Sequence, residues 1–263
     1  MSAPTYAVRD CATMLRRNLV RMRRYPSMTL MLIGLPIVFL LLFVYIFGGT
    51  LGAGIGGGSG GRGGYANYLT PGILLITVAG TAQGTAISVA MDMTEGIIAR
   101  FRTMSIFRPS VLTGHVLGSL LQTMLSLVIV TGVALAVGFR PTADVAQWIA
   151  AAAVLAMIAF AVIWFSVACG LVSKSVETAS NLPMPLILLP FLGSGFVPTD
   201  SMPAAVRWFA EYQPFTPVIE TLRGLLLGTA IGNNAILAVA WSAVITLASY
   251  LWAKKLYNRD PSR

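Results

Sequence analysis

Few groups in this sequence could carry out chemistry. Nine acids, one histidine (His115) and two cysteines (Cys11 and Cys169) are spread over 263 residues. The densest arrangement is Asp92-Met-Thr-Glu95-Gly96-Ile-Ile-Ala99-Arg100, which has the spacing of the first half of a two-metal signature, D-x-x-D-G-x-x-A-R. Two divalent ions need several carboxylate oxygens. The second half requires a glycine and two further acids downstream, where Pro109, Thr113 and Leu117 stand instead. The cluster cannot be assembled from two acids. A single histidine leaves no histidine-based metal site, and no Ser-His-Asp set or cysteine–histidine pairing stands out. The three lysines, Lys174, Lys254 and Lys255, never follow glycine, so there is no G-K-[ST] phosphate loop. Gly52, Gly54 and Gly57 match G-x-G-x-x-G, but no strand precedes them, and the match is empty.

The elements that carry these residues are set by composition. Hydrophobic residues make up 56% of the chain and charged residues 10%, against about 25% charged in a soluble domain; the mean hydropathy is +0.79. That is too little polar surface to wrap a globule in water. Disorder, a collagen and a disulfide scaffold are excluded by the same numbers. So is a membrane phosphatidyl-alcohol transferase, whose signature is only half present. Six charge-free stretches (25–61, 63–91, 109–139, 145–173, 178–199 and 224–253) each hold the ~20 apolar residues needed to cross a hydrocarbon core of about 30 Å. The sequence therefore predicts an all-α polytopic membrane protein with six helices near 28–48, 68–90, 112–138, 147–170, 179–197 and 233–253. A tail with an interfacial helix (1–27) precedes the transmembrane domain (28–253), and a short tail follows it (254–263). Fourteen of the eighteen lysines and arginines fall in the two tails and in the second and fourth loops. That bias predicts cytoplasmic termini and makes the net charge of +9 a topology signal rather than a nucleic-acid footprint. No cleavable signal peptide is apparent, and Cys11 and Cys169 fall in different compartments and should not pair.

Within this frame the polar residues sort into faces. Residues 11–25 place Met14, Leu15, Leu19 and Met22 opposite the arginines, as in an amphipathic helix lying on anionic lipid; the arginines also suit a purely topological role. Thr77, Thr81, Thr85 and Ser88 share one face of the second helix beside Gly80 and Gly84, a small-xxx-small pair. His115, Ser119, Gln122 and Ser126 repeat the pattern on the third. Such hydroxyls commonly bond their own backbone; the alternative is that they line a substrate path or a contact with a second copy. The glycine-rich stretch 48–64 reads as a flexible outer linker. Pro183, Pro185 and Pro190 predict a kinked or irregular fifth helix, tolerable in lipid only where neighbouring protein satisfies the freed carbonyls. Residues 203–212 and 217–227 form two runs too short to span, each opened by a proline, with Glu220 and Arg223 spaced to pair. They are expected to make an outer re-entrant hairpin between helices 5 and 6, a gate or lid. Residues 92–107, with Ile97, Ile98, Phe101 and Met104 on one face, suit a short cytoplasmic helix docking into a groove on a soluble partner, or one lying on the lipid surface.

These pieces together resemble a family. YLTPGILL (68–75), EGIIARFRTMSIFRPSVLTG (95–114) and PFLGSGFVPTDSMPAAVRWFAEYQPFTPVIETLRGLLLG (190–228) look like an ABC-2 type permease, and more narrowly like the daunorubicin-resistance branch of drug exporters. The resemblance implies a half-transporter of the bacterial plasma membrane. Two six-helix permeases, identical or paralogous, would work with two separate ATPase subunits. ATP and magnesium would sit on those partners, with no cofactor and no enzymatic activity on this chain. It further implies a coupling helix at Glu95, Gly96, Ile98, Arg100 and Phe101. It implies a substrate path or dimer interface along Thr81, Thr85, Ser88, Met184, Leu188 and Phe191, and an outer gate at Pro203, Trp208, Pro217, Glu220, Leu222 and Arg223. A hydrophobic or amphipathic drug is the expected cargo, with an envelope lipid, glycolipid or polyketide as the alternative.

Overall fold

A computed structural model of the chain describes residues 12–13, 15–17, 20, 26–55, 61–96 and 109–257, and all of its regular structure is helical. The first apolar stretch forms α1 (Pro26–Leu42), passes through one π-helical turn at Phe43–Phe47, and continues as α2 (Gly48–Ile55). α3 (Gly61–Thr94), α4 (Pro109–Val137) and α5 (Val145–Val172) follow. Asp144 caps α5 by accepting the Gln147 N–H at 2.7 Å, and the Gln147 side chain returns to the Asp144 N–H at 2.8 Å, so two otherwise orphaned donors at that helix end are satisfied. The chain then forms the short α6 (Val176–Asn181) and α7 (Met184–Leu188), the hairpin helices α8 (Ala204–Tyr212) and α9 (Phe215–Leu227), and α10 (Asn234–Tyr257).

Among the described residues, five helical stretches are long and apolar enough to cross a membrane: Leu30–Thr50, Gly61–Thr94, Leu112–Val137, Val145–Val172 and Asn234–Tyr257. The sixth expected crossing, near 179–197, is not a continuous helix. Its prolines remove backbone donors and clash with preceding carbonyls, so the segment is two short helices followed by turns. It nevertheless runs along α3. The Gln83 side chain donates to the Ser180 carbonyl at 2.7 Å, and Gly195 abuts Gly72. Those α3 positions are eleven residues apart, about 16 Å along the axis, and the broken segment travels antiparallel between them.

The burial pattern separates interior from rim. In the apolar windows, 78% of α3 and 61% of α5 are buried, against 22% at the first crossing, 28% in α4 and 17% in α10. α3 is thus the central mast, and the rim helices turn Leu35, Val128, Ile236, Val244 and Leu247 outward. Trp164 of α5 meets Tyr250 of α10 edge to face at 5.1 Å.

Several expected boundaries move. α3 begins seven residues earlier than expected and ends four later, about 51 Å long at 1.5 Å per residue, longer than the hydrocarbon core. The glycine-rich stretch is not a simple linker. Gly48–Ile55 is helical and α3 starts at Gly61, because a backbone without side chains lets these ends pack closely: a Cβ on Gly52 would sit 2.3 Å from the Gly61 carbonyl oxygen. Gly84 packs on Leu32 as a small-residue contact should, whereas Gly80 faces open space. α9 starts at Phe215 rather than Pro217, since an N–H missing in the first helical turn breaks no intrahelical bond. Of the expected interfacial helix, residues 12–13, 15–17 and 20 are described and are helical.

Candidate functional site

The polar stripe of α3 continues past the span. Thr81, Thr85 and Ser88 are followed four residues on by Asp92, still inside the helix and 2% exposed. The Arg17 guanidinium donates to one Asp92 carboxylate oxygen, and His115 Nε2, near the start of α4, lies 3.0 Å from the same oxygen. Arg17 is also 3.5 Å from that histidine nitrogen. The three residues tie the N-terminal segment to the ends of α3 and α4. Eleven residues up α3, the Thr123 hydroxyl of α4 donates to the Thr81 hydroxyl at 2.9 Å. His115 and Thr123, the latter outside the expected α4 stripe, form a seam with the stripe of α3 inside one chain. Most hydroxyls of the α3 stripe also bond their own helix: Thr77 to the Ile73 carbonyl, Thr81 to that of Thr77, Thr85 to that of Thr81.

Asp92 and Glu95 do not converge. Asp92 is buried, while Glu95 is exposed just past the helix end, where Gly96 adopts the left-handed backbone (φ +70°) that closes α3. Among the described residues no three acids, histidines or cysteines gather into a metal site. Ile98, Arg100 and Phe101 lie outside the described residues.

The substrate-path candidates fall into two groups that the structure does not bring together. Thr81 and Thr85 are buried in the seam and Ser88 is half-buried. Met184 and Leu188 are about half exposed on the outside of the broken segment. Phe191 stacks on Phe196 at 4.3 Å and meets Phe39 and Phe43 of the first crossing. A wholly apolar cleft of about 140 Å³ opens nearby, lined by Val162, Phe165, Leu186, Pro214, Phe215 and Ile245. That is the size of an engineered apolar cavity that holds a benzene ring.

At the other end of α3 the hairpin is asymmetric. α9 is core: Pro217 and Leu222 are buried, and Arg223 is only 6% exposed. The expected pair forms, with Arg223 donating to Glu220 at 2.5 Å. The guanidinium also donates to the carbonyls of Tyr68 (3.2 Å) and Ser194 (2.9 Å) and lies 3.9 Å above the Tyr68 ring. α8 is surface. Pro203 caps its start, Trp208 and Tyr212 are 67% and 64% exposed, and Arg207 pairs with Asp200 and Glu211 on a separate face. The loop between α4 and α5 joins this end, with Arg140 N–H donating to the Asn67 side chain and Thr142 N–H to the Leu226 carbonyl.

From sequence Asp92 was weighed only as a metal ligand, and Tyr68, Ser194 and Gln213 were not singled out as site residues. For Asp92 the signal existed, since it extends the hydroxyl stripe in phase. For Tyr68 and Ser194 there was none, because their backbone carbonyls do the work.

Residues 9–227 match the family described as ABC-2 type transporter. The chain is 28% identical over 226 residues to the daunorubicin resistance ABC transporter permease protein DrrB1 of Streptomyces coeruleorubidus, covering 85% of this chain and 77% of that one. It is 24% identical over 177 residues to the probable doxorubicin resistance ABC transporter permease protein DrrC of Mycobacterium tuberculosis, covering 65% of this chain and 63% of that one. The family match runs unbroken from the N-terminal segment that meets Asp92 to the hairpin helix that carries Arg223, and the chain belongs to the ABC-2 type transporter family.

Proposed function

We propose that this chain is the transmembrane permease subunit of an ATP-driven exporter that moves a hydrophobic or amphipathic drug-like compound out across a bacterial plasma membrane. The match to drug-resistance permeases along most of the chain carries this reading. Six crossings, counting the broken segment, put both termini on the cytoplasmic side, where the basic residues cluster. Two permeases, identical or paralogous, enclose the route, and two ATPase subunits bind ATP and magnesium and press on residues 92–107. Glu95, Gly96, Ile98, Arg100 and Phe101 receive that push, and α8 and α9 form the outer gate. The hydroxyls of Thr81, Thr85 and Ser88 reach cargo once the seam parts, while Met184, Leu188 and Phe191 face the second copy or the lipid. Nothing in the spans is ionisable between Tyr68 and Asp92, which favours cargo without a buried charge.

The apolar cleft between α5, α7, α9 and α10 supports a second reading, export of an envelope lipid, glycolipid or polyketide whose alkyl part enters sideways. Proteoliposomes holding the permease and its ATPase separate the two. ATP-dependent daunorubicin accumulation in inside-out vesicles supports the first reading, and lipid movement without drug transport supports the second. Uphill transport by the permease without any ATPase overturns both.

A further inference from the structure

The outer half of the broken crossing, 189–197, runs in turns and so has backbone carbonyls outside any helical ladder. In an apolar surround each needs a donor. Two come from the hairpin. Gln213, at the α8–α9 corner and 4% exposed, donates through Nε2 to the Leu189 carbonyl at 3.1 Å and to the Thr216 hydroxyl at 2.9 Å, and its Oε1 accepts the Phe215 N–H. Arg223, ten residues on, donates to the Ser194 carbonyl and, through the same nitrogen, to that of Tyr68 on α3. Two glycines fit the turns into this place: a Cβ on Gly193 would meet the Gln213 side chain at 2.2 Å, and one on Gly195 would lie 3.3 Å from the Gly72 Cα of α3, which backs the turns from the other side.

We propose that Gln213 and Arg223 are the positioning residues of the outer gate: their bonds to the Leu189 and Ser194 carbonyls clamp the unwound half of the crossing to α9 and hold the gate closed. The proposal rests on the gate reading of α8 and α9. The hairpin cannot lift while both bonds stand, and losing either leaves a carbonyl unsatisfied, so the two act as one unit. Arginine is required because one arm of its planar fork donates to both carbonyls while the other holds Glu220 and the plane stacks on a ring; an ammonium is a point donor.

Ser194 supplies the reporter. Its side chain is buried, and its hydroxyl has no partner among the described residues, so Ser194→Cys disturbs no bond. In a Cys11→Ser, Cys169→Ala background of the full permease–ATPase complex, a membrane-impermeant maleimide is applied from the Arg223 side without ATP. Arg223→Lys and Gln213→Met, each separately, are expected to raise the labelling rate of Ser194→Cys at least tenfold, equivalent to about 1.4 kcal/mol. The double variant should label no faster than the faster single. Arg207→Ala, on the exposed face of α8, should change nothing, and Thr123→Cys, in the α3–α4 seam, should stay protected. Should Arg223→Lys fail to assemble, Gln213→Met decides alone. Unchanged labelling in the assembled variants, or equal labelling at Thr123→Cys, overturns the clamp. Failure of the exporter reading is distinguished separately, since it appears as absent ATP-dependent drug uptake by the parent complex, whatever the labelling.

Discussion

Replacing Gly72 by alanine tests the packing of the broken segment 179–197 against α3 most directly. A Cβ there would sit 2.8 Å from the Gly195 carbonyl oxygen and 2.9 Å from its Cα, distances that only backbone movement can relieve. Overpacking of this kind costs about 1–3 kcal/mol. Alanine is also a better helix former than glycine, by about 1 kcal/mol, which would mask part of that cost. Gly80→Ala removes the ambiguity. It lies on the same helix, receives the same side chain, and its Cβ meets nothing within 4 Å, so the propensity gain cancels in the difference. Gly84→Ala should fall between, since its Cβ meets only the flexible end of Leu32 at 3.1 Å. In detergent, with roughly 2–4 °C of melting temperature per kcal/mol at this size, Gly72→Ala should melt about 2–12 °C below Gly80→Ala. Equal melting, or a more stable Gly72→Ala, would refute the claim that the broken segment is seated backbone to backbone on α3.

Asp92→Asn should destabilise the permease by about 3 kcal/mol, the low end for breaking a buried ion pair because Arg17 remains a third exposed; unfolding of the variant measures it, and a loss below that of Arg17→Gln would contradict the burial of the carboxylate. Trp208, kept as the single tryptophan by changing Trp148, Trp164, Trp241 and Trp252 to phenylalanine, should be quenched by lipids brominated near the headgroup more than by those brominated deep in the chains, because an exposed Trp–Tyr pair on an amphipathic helix suits the membrane interface. Absence of quenching would move α8 into water. Ile98→Ser with Phe101→Ser should lower drug-stimulated ATP turnover at least tenfold without affecting membrane insertion, and unaltered turnover would remove the coupling role from 92–107.

The five continuous crossings were legible because long charge-free runs are a property of composition, needing no knowledge of packing. The irregularity of 179–197 was legible too, from Pro183, Pro185 and Pro190, as was the Glu220–Arg223 pair from its spacing of three. What the sequence concealed depends on contacts between distant segments. That Arg223 would turn inward to Tyr68 and Ser194, rather than stay on an outer surface with Glu220, follows from α9 being core, which no local pattern states. The early start of α3 at Gly61 was hidden because glycine disfavours helices, and only close packing against α2 offsets it. The Asp92–His115–Arg17 cluster was missed for a different reason. Asp92 follows the last apolar residue of its stretch and reads as loop, though its phase with Thr81, Thr85 and Ser88 placed it on the same face.

The two buried charged groups of residues bound the permeation problem physically. Tyr68, under the Arg223 guanidinium, and Asp92, beside His115, are twenty-four residues apart on one helix, about 36 Å. A hydrocarbon core is about 30 Å thick, so the two ionic contacts of α3 are spaced as the two faces of a membrane are, with a neutral length between them. Across that length the hydroxyls of Thr77, Thr81 and Thr85 are already committed to their own backbone. A fully charged cargo would therefore cross without a partner, at a cost of several kcal/mol, whereas an amphipathic one leaves its polar end beside a charged cluster at one face until its apolar part has passed. On the export reading proposed above, the apolar residues of the middle and the ionic ones of the rims would make separable demands on the molecule being moved, and the seam hydroxyls would meet it only through their remaining acceptor capacity.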